Sequence, residues 1–584
     1  MPRPVIKLEN VSWRYARSRE PALAGISLEV GEGEFVAVMG GGGAGKSSLC
    51  RLLNGLIPHS SAGRLSGSVE IDGEPTASSS VARLSEKVGM AFDDPETQLF
   101  TARAFDEVAF ALENMLMPPA QIAEKTRRAL AAAGLSECAD RAPATLSGGQ
   151  KQRLAIAAAL AMANRVLVLD EPGSRLDPEG VREVLSFVRK LRGDRRMAVV
   201  MATGSAEEAL DFADRACVLK NGRLLAFDAP DRVFSNARLL AEAGIDPPEV
   251  CAFAFRMGAL GKALPRFPLT VAEAAESALA AVGNRAAGYS AASREAGPGS
   301  AGPDPRSGVP ALQIEDVSFS YESSPRAAAL DGFSLSVADG EFVALLGRNG
   351  SGKTTLLKAV SGLLRPRRGR ILARGRETRE MSVAEIAGEV GYVMQDSDNQ
   401  LFEQTVFDEV AFALRLQKRG AAQIRLMAEE ALEALGLQDM RGAFPPALRK
   451  ADRVKTVFAA VLAMGAKTLI LDEPLAGQDC GGARTILEAL GRLREKGRSI
   501  VMTTHDVRAA AEHAQRLVVM KSGRAHLDGS AEEVFGRAGE LAEAGILLPR
   551  ASLLALELRG RIPVERISAS PEALAEDIAR LAPG

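Results

Sequence analysis

The sequence predicts two homologous α/β domains in tandem, each with a largely parallel core sheet, and three observations lead to that prediction. The octet FDEVAFAL begins at Phe105 and again at Phe407, 302 residues later, and Asp170-Glu171-Pro172 recurs as Asp472-Glu473-Pro474 at the same offset. Within each half, strand-like runs alternate with helical patterns, which is typical of a parallel sheet covered by helices. Between the halves, residues 283–310 are rich in Gly, Ser, Ala and Pro and lack apolar periodicity, as expected of a flexible tether.

Length and composition agree with several folded domains. The chain has 584 residues, more than one hydrophobic core usually organises, and 46% of them are hydrophobic and 25% charged. The 72 Lys and Arg nearly balance the 74 Asp and Glu, so no strong overall field attracts nucleic acid or anionic lipid. Nucleic acid is therefore not an expected partner.

Cysteine spacing and apolar runs exclude two further classes of protein. The five cysteines are scattered singly, without the paired spacing of a zinc site or a disulfide framework, which fits a reducing cytosol. The N-terminus lacks an apolar signal core, and runs such as Leu154 to Ala163 are far shorter than the ~20 residues that span a bilayer. Any link to a membrane is expected to run through partner proteins.

The repeat also sets the expected domain boundaries. Strand-like runs open the halves at Ile6 to Val11 and at Leu312 to Val317. The sequence predicts the following organisation: a first domain at 1–235, an accessory extension at 236–282, the linker at 283–310, a second domain at 311–536 and its extension at 537–584.

Two glycine-rich segments fit the phosphate-binding P-loop pattern. They are Gly40-Gly41-Gly42-Gly43-Ala44-Gly45-Lys46-Ser47 and Gly347-Arg348-Asn349-Gly350-Ser351-Gly352-Lys353-Thr354. The glycines let backbone N–H groups converge on phosphate oxygens, the next helix presents its N-terminus to the anion, and the lysine supplies a mobile charge. A chance glycine-rich turn is the alternative, but each copy follows an apolar strand (FVAVM or FVALL) and precedes a helical run. We expect Ser47 and Thr354 to hold Mg²⁺.

About 120 residues after each P-loop, a buried-strand pattern ends in a carboxylate. These patterns are Val166 to Asp170 and Leu469 to Asp472. An acid at the tip of a neighbouring strand is well placed to bind Mg²⁺ through water, and the next residue, Glu171 or Glu473, can polarise an attacking water.

Leu146-Ser147-Gly148-Gly149-Gln150, 24 residues before Asp170, is the signature of the ABC ATPase family, and the chain resembles two such domains in tandem. The resemblance implies a parallel-sheet core, an antiparallel β subdomain and a helical subdomain in each half. In that family two domains pair head to tail, so each ATP lies between the P-loop of one and the signature of the other. A serine hydroxyl and glycine N–H groups at a helix start suit contact with a γ-phosphate.

Further family elements match one residue at a time. Tyr15 and Tyr321 match the aromatic that stacks on adenine, although either also fits a plain strand-end tyrosine; Gln395 matches the glutamine that senses Mg²⁺ and the attacking water. His505 matches the switch histidine, and Asp177 and Asp479 match the aspartate of the loop that crosses the interface. The resemblance thus implies catalytic residues Glu473, His505 and Gln395; metal ligands Ser47, Asp170, Thr354, Gln395 and Asp472; and nucleotide contacts Tyr15, Gly40, Gly45, Lys46, Ser47, Tyr321, Gly347, Asn349, Gly350, Ser351, Gly352, Lys353, Thr354, Thr355, Ser147, Gly148, Gly149 and Gln150.

Three departures from the family pattern fall in one of the two composite sites. The glutamine position of the first half holds Asp93, its switch position holds Gly204, and the second half's signature reads LRKAD at 448–452. Site one would combine the first P-loop with that altered signature, whereas site two would combine the second P-loop with the intact one. Losing one positioned donor typically costs about 10²–10³ in rate, so we expect site one to hold Mg-ATP and turn over slowly. Simple decay of site one is the alternative.

The segments after the glutamine position, DSDNQLFEQTVFDEVAFAL and DPETQLFTARAFDEVAFALEN, look like the ATPases of energy-coupling factor (ECF) importers of vitamins and transition-metal ions. The tails LAEAGIDPP and LAEAGILLP resemble that family's C-terminal extension, which contributes to the contact between the two ATPase domains. The resemblance implies a peripheral protein on the cytoplasmic face of the membrane, bound to a membrane scaffold protein and a substrate-capture protein. Six repeated residues would line or brace the scaffold's groove, although they also fit helix packing: Phe105, Asp106, Glu107, Phe407, Asp408 and Glu409.

Two other functions compete with this one. The fused ATPase of a sugar importer belongs to the same broad class, and the ECF-like segments argue against it. A soluble tandem ABC protein that acts on ribosomes or DNA would carry a charged helical linker or basic tails, whereas this chain has a Pro/Gly/Ser tether and a formal net charge of −2.

Overall fold

The computed structural model describes residues 4–162, 165–174, 176–283, 309–321, 328–395, 397–478, 480–564 and 566–582. The chain forms two compact units, Met1–Phe255 (unit 1) and Arg256–Gly584 (unit 2). Most of the predicted linker, residues 284–308, lies outside the described residues, as does Asp479. Within the described ranges, no helix combines the length and the apolar character needed to cross a bilayer.

Unit 1 contains two sheets. Its strands are β1 (Pro4–Tyr15), β2 (Leu23–Gly31), β3 (Phe35–Met39), β4 (Gly63–Ile71), β5 (Glu74–Pro75), β6 (Val88–Ala91), β7 (Val166–Asp170), β8 (Ala198–Ala202), β9 (Arg215–Lys220) and β10 (Arg223–Asp228). One sheet is antiparallel with the order β2-β1-β4-β5. The other has the order β10-β9-β3-β8-β7-β6 and is parallel except for β10, which runs antiparallel to β9.

The unit 1 helices are α1 (Lys46–Leu53), α2 (Leu56–His59), α3 (Val81–Ser85), α4 (Ala104–Asn114), α5 (Pro119–Ala132), α6 (Gly148–Leu160), α7 (Pro178–Arg195), α8 (Ala206–Phe212), α9 (Pro230–Phe234) and α10 (Ala237–Ala243). Helix α11 (Glu249–Ala259) contains the boundary between the units. Helices α4, α5 and α6 share a small core of their own, built on residues such as Val108, Leu130 and Leu154. They form the predicted helical subdomain.

The central strands explain the position of the site. All five residues of β3 and of β7 are buried, as expected of strands covered by helices on both faces. Since parallel strands end at the same edge of a sheet, the loop after β3 and the carboxylate that ends β7 lie next to each other. One apolar core joins these strands to β1, β2 and α1.

Unit 2 repeats this arrangement. Its strands are β11 (Leu312–Phe319), β12 (Leu330–Val337), β13 (Phe342–Leu346), β14 (Arg368–Ala373), β15 (Arg376–Glu377), β16 (Val390–Val393), β17 (Thr468–Asp472), β18 (Ser499–Thr503), β19 (Arg516–Lys521) and β20 (Arg524–Gly529). The antiparallel sheet has the order β12-β11-β14-β15 and the mixed sheet the order β16-β17-β18-β13-β19-β20. The structure thus confirms the predicted fold class for both halves.

The unit 2 helices are α12 (Val271–Val282), α13 (Lys353–Val360), α14 (Val383–Glu389), α15 (Val406–Leu416), α16 (Ala421–Ala434), α17 (Lys450–Ala463), α18 (Cys480–Glu495), α19 (Val507–His513), α20 (Ala531–Phe535), α21 (Ala538–Glu543), α22 (Arg550–Leu558) and α23 (Pro571–Leu581). Helices α15, α16 and α17 share a core with strands of the mixed sheet.

Unit 2 also includes a segment that precedes the predicted linker in sequence. Helix α12 packs on α22 and α23, burying small side chains such as Ala274 and Ala278 on one side and Ala555 on the other. An ion pair between Arg256 and Glu576 adds to this helical cluster. The unit boundary therefore falls inside the stretch 236–282 that the sequence assigns to the first half.

Candidate nucleotide site

The P-loop of unit 1 is a tight backbone cradle between β3 and α1. Gly40 has a φ of 151°, and a Cβ atom there would lie 2.3 Å from the carbonyl oxygen of Leu219. Gly45 has a φ of 107°, and its Cβ would lie 2.6 Å from the carbonyl oxygen of Ala22. Only glycine fits at either position. The loop therefore presents bare backbone N–H groups at the start of α1, which suits a phosphate group.

Charged and hydroxyl groups converge on this cradle. The Lys46 ammonium donates to the Gly40 carbonyl at 2.9 Å. The Ser47 hydroxyl donates to Oδ1 of Asp170 at 3.0 Å. Burial raises the pKa of Asp170 to about 6, and the hydrogen bond from Ser47 opposes that rise. Hydroxyl and carboxylate oxygens are the donors that Mg²⁺ prefers, so this pair fits the ion together with nucleotide phosphates.

Protein oxygens alone are too few to hold a metal ion here. Among the described residues, no group of three or more His, Cys, Asp or Glu side chains is placed to bind one. Mg²⁺ commonly keeps only one or two protein ligands and completes its shell with water and substrate phosphate. Ser47 and Asp170 are two such protein ligands, so the site fits this mode of Mg²⁺ binding.

The second P-loop has the same construction. Gly347 is enclosed, since a Cβ atom there would lie 2.7 Å from the carbonyl oxygen of Met520. The Lys353 ammonium donates to the carbonyl oxygens of Gly347 at 2.6 Å and Arg348 at 3.2 Å. The lysine is thus poised over a loop that also contains Asn349, Gly350, Ser351 and Gly352 and leads into Thr354 and Thr355.

The strand-end carboxylate of unit 2 is held by Thr503. Asp472 is buried, and its Oδ1 accepts a hydrogen bond of 2.8 Å from the Thr503 hydroxyl. The same hydroxyl accepts a hydrogen bond of 3.0 Å from the backbone N–H of Glu473. Sequence reasoning missed Thr503. Its place at the end of β18, beside β17, is the signal that would have found it.

Both candidate adenine-stacking tyrosines lie against the helix that follows their P-loop. The Tyr15 hydroxyl is 3.1 Å from Oγ of Ser48, and the Tyr321 hydroxyl is 3.1 Å from Oγ1 of Thr355. Trp13 packs edge-on against Tyr15, with ring centroids 5.5 Å apart. In both units, therefore, an aromatic ring flanks the phosphate cradle.

The two glutamates that follow β7 and β17, Glu171 and Glu473, differ in burial and in their contacts. The side chain of Glu473 is only 8% exposed, and His505 contacts both of its oxygens: the backbone N–H donates to Oε2 at 3.1 Å, and Nε2 lies 3.1 Å from Oε1. The side chain of Glu171 is 39% exposed and pairs with Lys46 at 3.5 Å. Burial raises the pKa of Glu473 to about 7, with the charge of Lys353 opposing the rise.

The structure shows the surroundings of Gln395 and of the two departures in unit 1, Asp93 at the glutamine position and Gly204 at the switch position. Gln395 is exposed, two residues after the end of β16. Asp93 is exposed as well, and its backbone carbonyl accepts a hydrogen bond of 3.1 Å from the Ser174 hydroxyl. Around Gly204, which matches His505 of unit 2, no heavy atom outside its chain neighbours lies within 4 Å of where a Cβ would be.

Unit 1 carries one buried acid at its site that the sequence did not reveal. The Glu208 carboxylate accepts a hydrogen bond of 2.7 Å from the Thr203 hydroxyl and lies over Gly173. Burial raises the pKa of Glu208 to about 7. At the matching places unit 2 has the apolar pair Leu475 and Ala509, so only a comparison of the two halves would have singled out Glu208.

The signature helices differ at their starts. Ser147 caps α6: its Oγ accepts from the Gln150 N–H at 3.3 Å, and its own N–H donates to Oε1 of Gln150 at 3.0 Å. A Cβ added at Gly149 would meet no heavy atom within 4 Å, so that glycine faces open space. In unit 2, Arg449 stands at the cap position and its Nε donates to the buried Asp452 at 3.0 Å. Asp177, at the next loop of unit 1, caps α7 through Gly180.

Of the repeated acids expected around a docking groove, the glutamates brace a loop. Oε2 of Glu107 accepts from the backbone N–H groups of Phe100 and Thr101 at 3.0 and 2.9 Å. Glu409 does the same for Phe402 and Glu403 at 2.9 and 2.8 Å. Asp106 and Asp408 instead pair with arginines, Arg103 and Arg415 respectively.

Comparison with known proteins gives consistent results. The sequence profile of the ABC transporter family matches residues 23–174 and 330–476. A protein of Methanosarcina acetivorans, whose name assigns it to the ABC transporter ATP-binding proteins, is 36% identical over 559 residues, which are 95% of this chain and 91% of the relative. A protein of Caldanaerobacter subterraneus with the same assignment is 36% identical over 550 residues, covering 93% of this chain and 94% of the relative. Among solved structures, cbiO1 of Clostridium perfringens, described as part of the ABC transporter complex cbiONQ, is 31% identical, with 42% of this chain and 98% of that chain covered and a TM-score of 0.37.

Proposed function

The chain belongs to the ABC transporter family of ATP-binding ATPases, and from that premise we propose that it powers import of a small molecule by hydrolysing ATP at only one of two sites. The hydrolytic site, site two, uses the P-loop of unit 2, Glu473 and His505, together with the signature at 147–150. Site one uses the P-loop of unit 1 and the altered signature at 448–452. Both assignments follow the head-to-tail pairing of the family.

One observation carries the proposal: His505 confines Glu473, whereas Glu171 has no such restraint and turns to Lys46. A general base must be held within reach of the water that it activates. A glutamate that is buried and held at both oxygens is positioned in this way. A glutamate that is partly exposed and paired with the P-loop lysine is not.

Different residues of site two bind the phosphates, hold the metal ion and activate the attacking water. Lys353 and the loop N–H groups bind phosphate oxygens, and Thr354, Asp472 and Gln395 would hold Mg²⁺. That ion neutralises charge that develops on the phosphates. Glu473 orients the attacking water and takes its proton, while His505 fixes the glutamate.

Site one keeps what binding needs. Lys46, Ser47 and Asp170 remain in place, and the cradle at Gly40 and Gly45 is intact. A ligand at ~100 times its Kd stabilises the bound form by about 2.7 kcal/mol. Nucleotide held at site one therefore serves to keep the two halves paired.

We further propose an ECF-type importer of a vitamin or metal ion, with this chain at the cytoplasmic face beneath a membrane scaffold and a substrate-capture protein. The segments after Gln395 and Asp93 support that class over a sugar importer. The small formal net charge, −2, favours it over a ribosome- or DNA-acting protein.

Affinity purification of the tagged full-length chain from its native cells tests the assignment. We expect integral membrane proteins to co-purify in fixed ratio, and the small molecule retained by that complex identifies the cargo. Recovery with ribosomes or DNA instead would overturn the transport role and leave the ATPase assignment standing.

A further inference from the structure

The Thr503 side chain joins the two acidic residues of the unit 2 site. Its hydroxyl donates to Oδ1 of Asp472 at 2.8 Å and accepts from the backbone N–H of Glu473 at 3.0 Å. Since an N–H group can only donate, the single hydrogen of the hydroxyl is committed to the Asp472 carboxylate. Thr503 and Asp472 are both buried, so bulk water has little access to that bond. One side chain therefore contacts both the expected metal ligand and the backbone of the expected base.

The other carboxylate oxygen of Asp472 faces a second hydroxyl. Tyr392 on β16 is buried, and its hydroxyl lies 3.5 Å from Oδ2 of Asp472. Strand β17 lies between β16 and β18, so Tyr392 and Thr503 reach the carboxylate from the two strands that flank its own. The contact from Thr503 is the shorter and hence the stronger of the two. Hydroxyls at both oxygens restrict the rotation of the carboxylate.

Unit 1 has the same strand register here and neither hydroxyl. Asp170 lies opposite Ala202 on β7 and β8, in the register in which Asp472 lies opposite Thr503 on β17 and β18. On the other flanking strand, Met90 stands where unit 2 has its tyrosine. A methyl group and a thioether donate no hydrogen bond. The two units therefore differ in the groups that hold the strand-end carboxylate.

The Asp170 carboxylate has a different partner. Its Oδ1 accepts a hydrogen bond of 3.0 Å from the Ser47 hydroxyl, and Ser47 is itself expected to hold Mg²⁺. In unit 1 the two expected ligands thus orient each other, whereas in unit 2 Asp472 is oriented by groups outside the ligand set. This difference is separate from the three departures from the family pattern.

The Thr503 hydroxyl also supports a strained backbone. Glu473 has a φ of 51° and Glu171 a φ of 48°, a left-handed conformation that residues other than glycine rarely adopt. In unit 1 the Glu171 N–H donates to the Ala202 carbonyl at 2.9 Å. In unit 2 the Glu473 N–H is shared between the carbonyl and the hydroxyl of Thr503, at 3.2 and 3.0 Å. Unit 2 therefore has one more acceptor at the residue that must be held in place.

We propose that Thr503, supported by Tyr392, is a positioning residue of site two that sets the orientation of the Asp472 carboxylate toward Mg²⁺ and couples it to Glu473. The role rests on the assignment of hydrolysis to site two proposed above. Mg²⁺ demands near-octahedral geometry, and loss of a hydrogen bond to one of its ligands typically costs about 10–100-fold in metal affinity or activity. Site two should therefore bind a divalent ion more tightly than site one, since unit 1 lacks both hydroxyls.

Divalent-ion binding tests the proposal on the full-length chain. Mn²⁺ is titrated into the chain saturated with a non-hydrolysable ATP analogue, and the EPR signal of free Mn²⁺ gives the Kd of each bound ion. Thr503→Val keeps the shape and removes the hydroxyl, so it should raise the Kd of the tighter ion about 10-fold or more and leave the weaker ion unchanged. Thr503→Ser keeps the hydroxyl and should stay within about threefold of the unsubstituted chain. Tyr392→Phe, which removes the longer contact, should raise the same Kd about threefold or more.

Matched variants separate this role from packing. Thr468→Val alters a buried threonine at the other end of β17 and should change neither Mn²⁺ binding nor turnover. A packing role would make Thr503→Ser, which loses a methyl group, at least as harmful as Thr503→Val. That order would overturn the proposal, and so would Mn²⁺ binding that neither Thr503→Val nor Tyr392→Phe changes. If Thr503→Val does not fold, Tyr392→Phe alone decides, and an unchanged Kd from it overturns the proposal.

Turnover measured beside binding distinguishes this role from the location of hydrolysis. Thr503→Val should lower ATP turnover about 10-fold or more. Glu473→Gln tests where hydrolysis occurs, and it should leave the Kd of both Mn²⁺ ions within about threefold of the unsubstituted chain. Normal Mn²⁺ binding by Thr503→Val together with inactivity of Glu473→Gln would remove the positioning role and leave the hydrolytic assignment standing.

Discussion

His505 contacts both carboxylate oxygens of Glu473: its backbone N–H donates to Oε2 at 3.1 Å, and its ring Nε2 lies 3.1 Å from Oε1. The ring also reaches Oδ1 of Asn349 in the P-loop at 3.0 Å, so one side chain connects the base to the phosphate cradle. In unit 1 the matching residue, Gly204, provides no ring. The predictions that follow depend on this difference.

Glu473→Gln should lower ATP turnover by at least about 10²-fold, because the amide cannot accept the proton of the attacking water. Glu171→Gln should retain most of the turnover. Phosphate release from the purified full-length chain measures both. Equal loss from the two substitutions would contradict the assignment of hydrolysis to site two.

His505→Gly gives unit 2 the switch residue of unit 1 and should lower turnover about 10²-fold, since Glu473 loses the contact with the imidazole ring and keeps only the hydrogen bond from the backbone N–H. The reciprocal change, Gly204→His, meets no clash at its Cβ. We expect no rise in turnover from it while the signature at 448–452 remains altered. Thermal unfolding serves as the control that both variants are folded. Turnover gained by Gly204→His alone would mean that the switch residue by itself limits site one.

Trp13 should report nucleotide at site one alone. It is the only tryptophan of the chain and packs on Tyr15, which is expected to stack on adenine. Adding ATP should change its fluorescence in a saturable way. Lys46→Ala should abolish the change and the matched Lys353→Ala should preserve it. A signal lost with Lys353→Ala and kept with Lys46→Ala would show that Trp13 senses the other site.

Glu208 should make unit 1 less stable as pH rises. Its pKa is about 7 in the fold and has an ordinary value of 4.5, so the stabilisation is complete below about pH 4.5 and is lost as pH rises through about 7. The free energy of unfolding should fall by on the order of 3 kcal/mol across that window. Glu208→Gln, which can still accept from Thr203, should flatten the slope. Unfolding followed by Trp13 fluorescence measures it, and an unchanged slope would place the pH dependence elsewhere.

Ser147→Asp separates the two roles of the signature serine. Aspartate is as good an N-cap as serine, so α6 should keep its stability. A negative charge aimed at a γ-phosphate should nonetheless lower turnover about 10²-fold or more. Arg449→Asp, at the matching position of unit 2, should leave turnover unchanged. A variant that unfolds early would assign the serine to capping alone.

Much of the fold could be predicted from the sequence because the repeat is long and its motifs are local. The runs FVAVM and FVALL lead into glycines whose positive φ and close neighbours leave no other residue possible, so strand, loop and helix follow from one short segment. Asp170 and Asp472 end continuous apolar runs, and strand ends that meet at one sheet edge bring them to the P-loops.

Contacts that join distant segments could not be predicted. Thr503 reaches Asp472 and Glu473 across neighbouring strands, and no motif marks it. Glu171 pairs with Lys46 whereas Glu473 contacts His505, and no motif marks that difference. The repeated octet did not separate groove residues from packing residues: Glu107 is buried, and Phe100 and Phe110 are exposed.

The place of α12 in unit 2 changes what the covalent link between the halves must do. Although α12 precedes residues 284–308 in sequence, it is buried against α22 and α23. A protease cut within 284–308 would therefore yield two polypeptides, and the N-terminal one would still contribute a helix to the body of the other. The packing of α12 on α22 and α23 therefore ties the segment that precedes residues 284–308 to the body of unit 2 without relying on the peptide bonds of those residues.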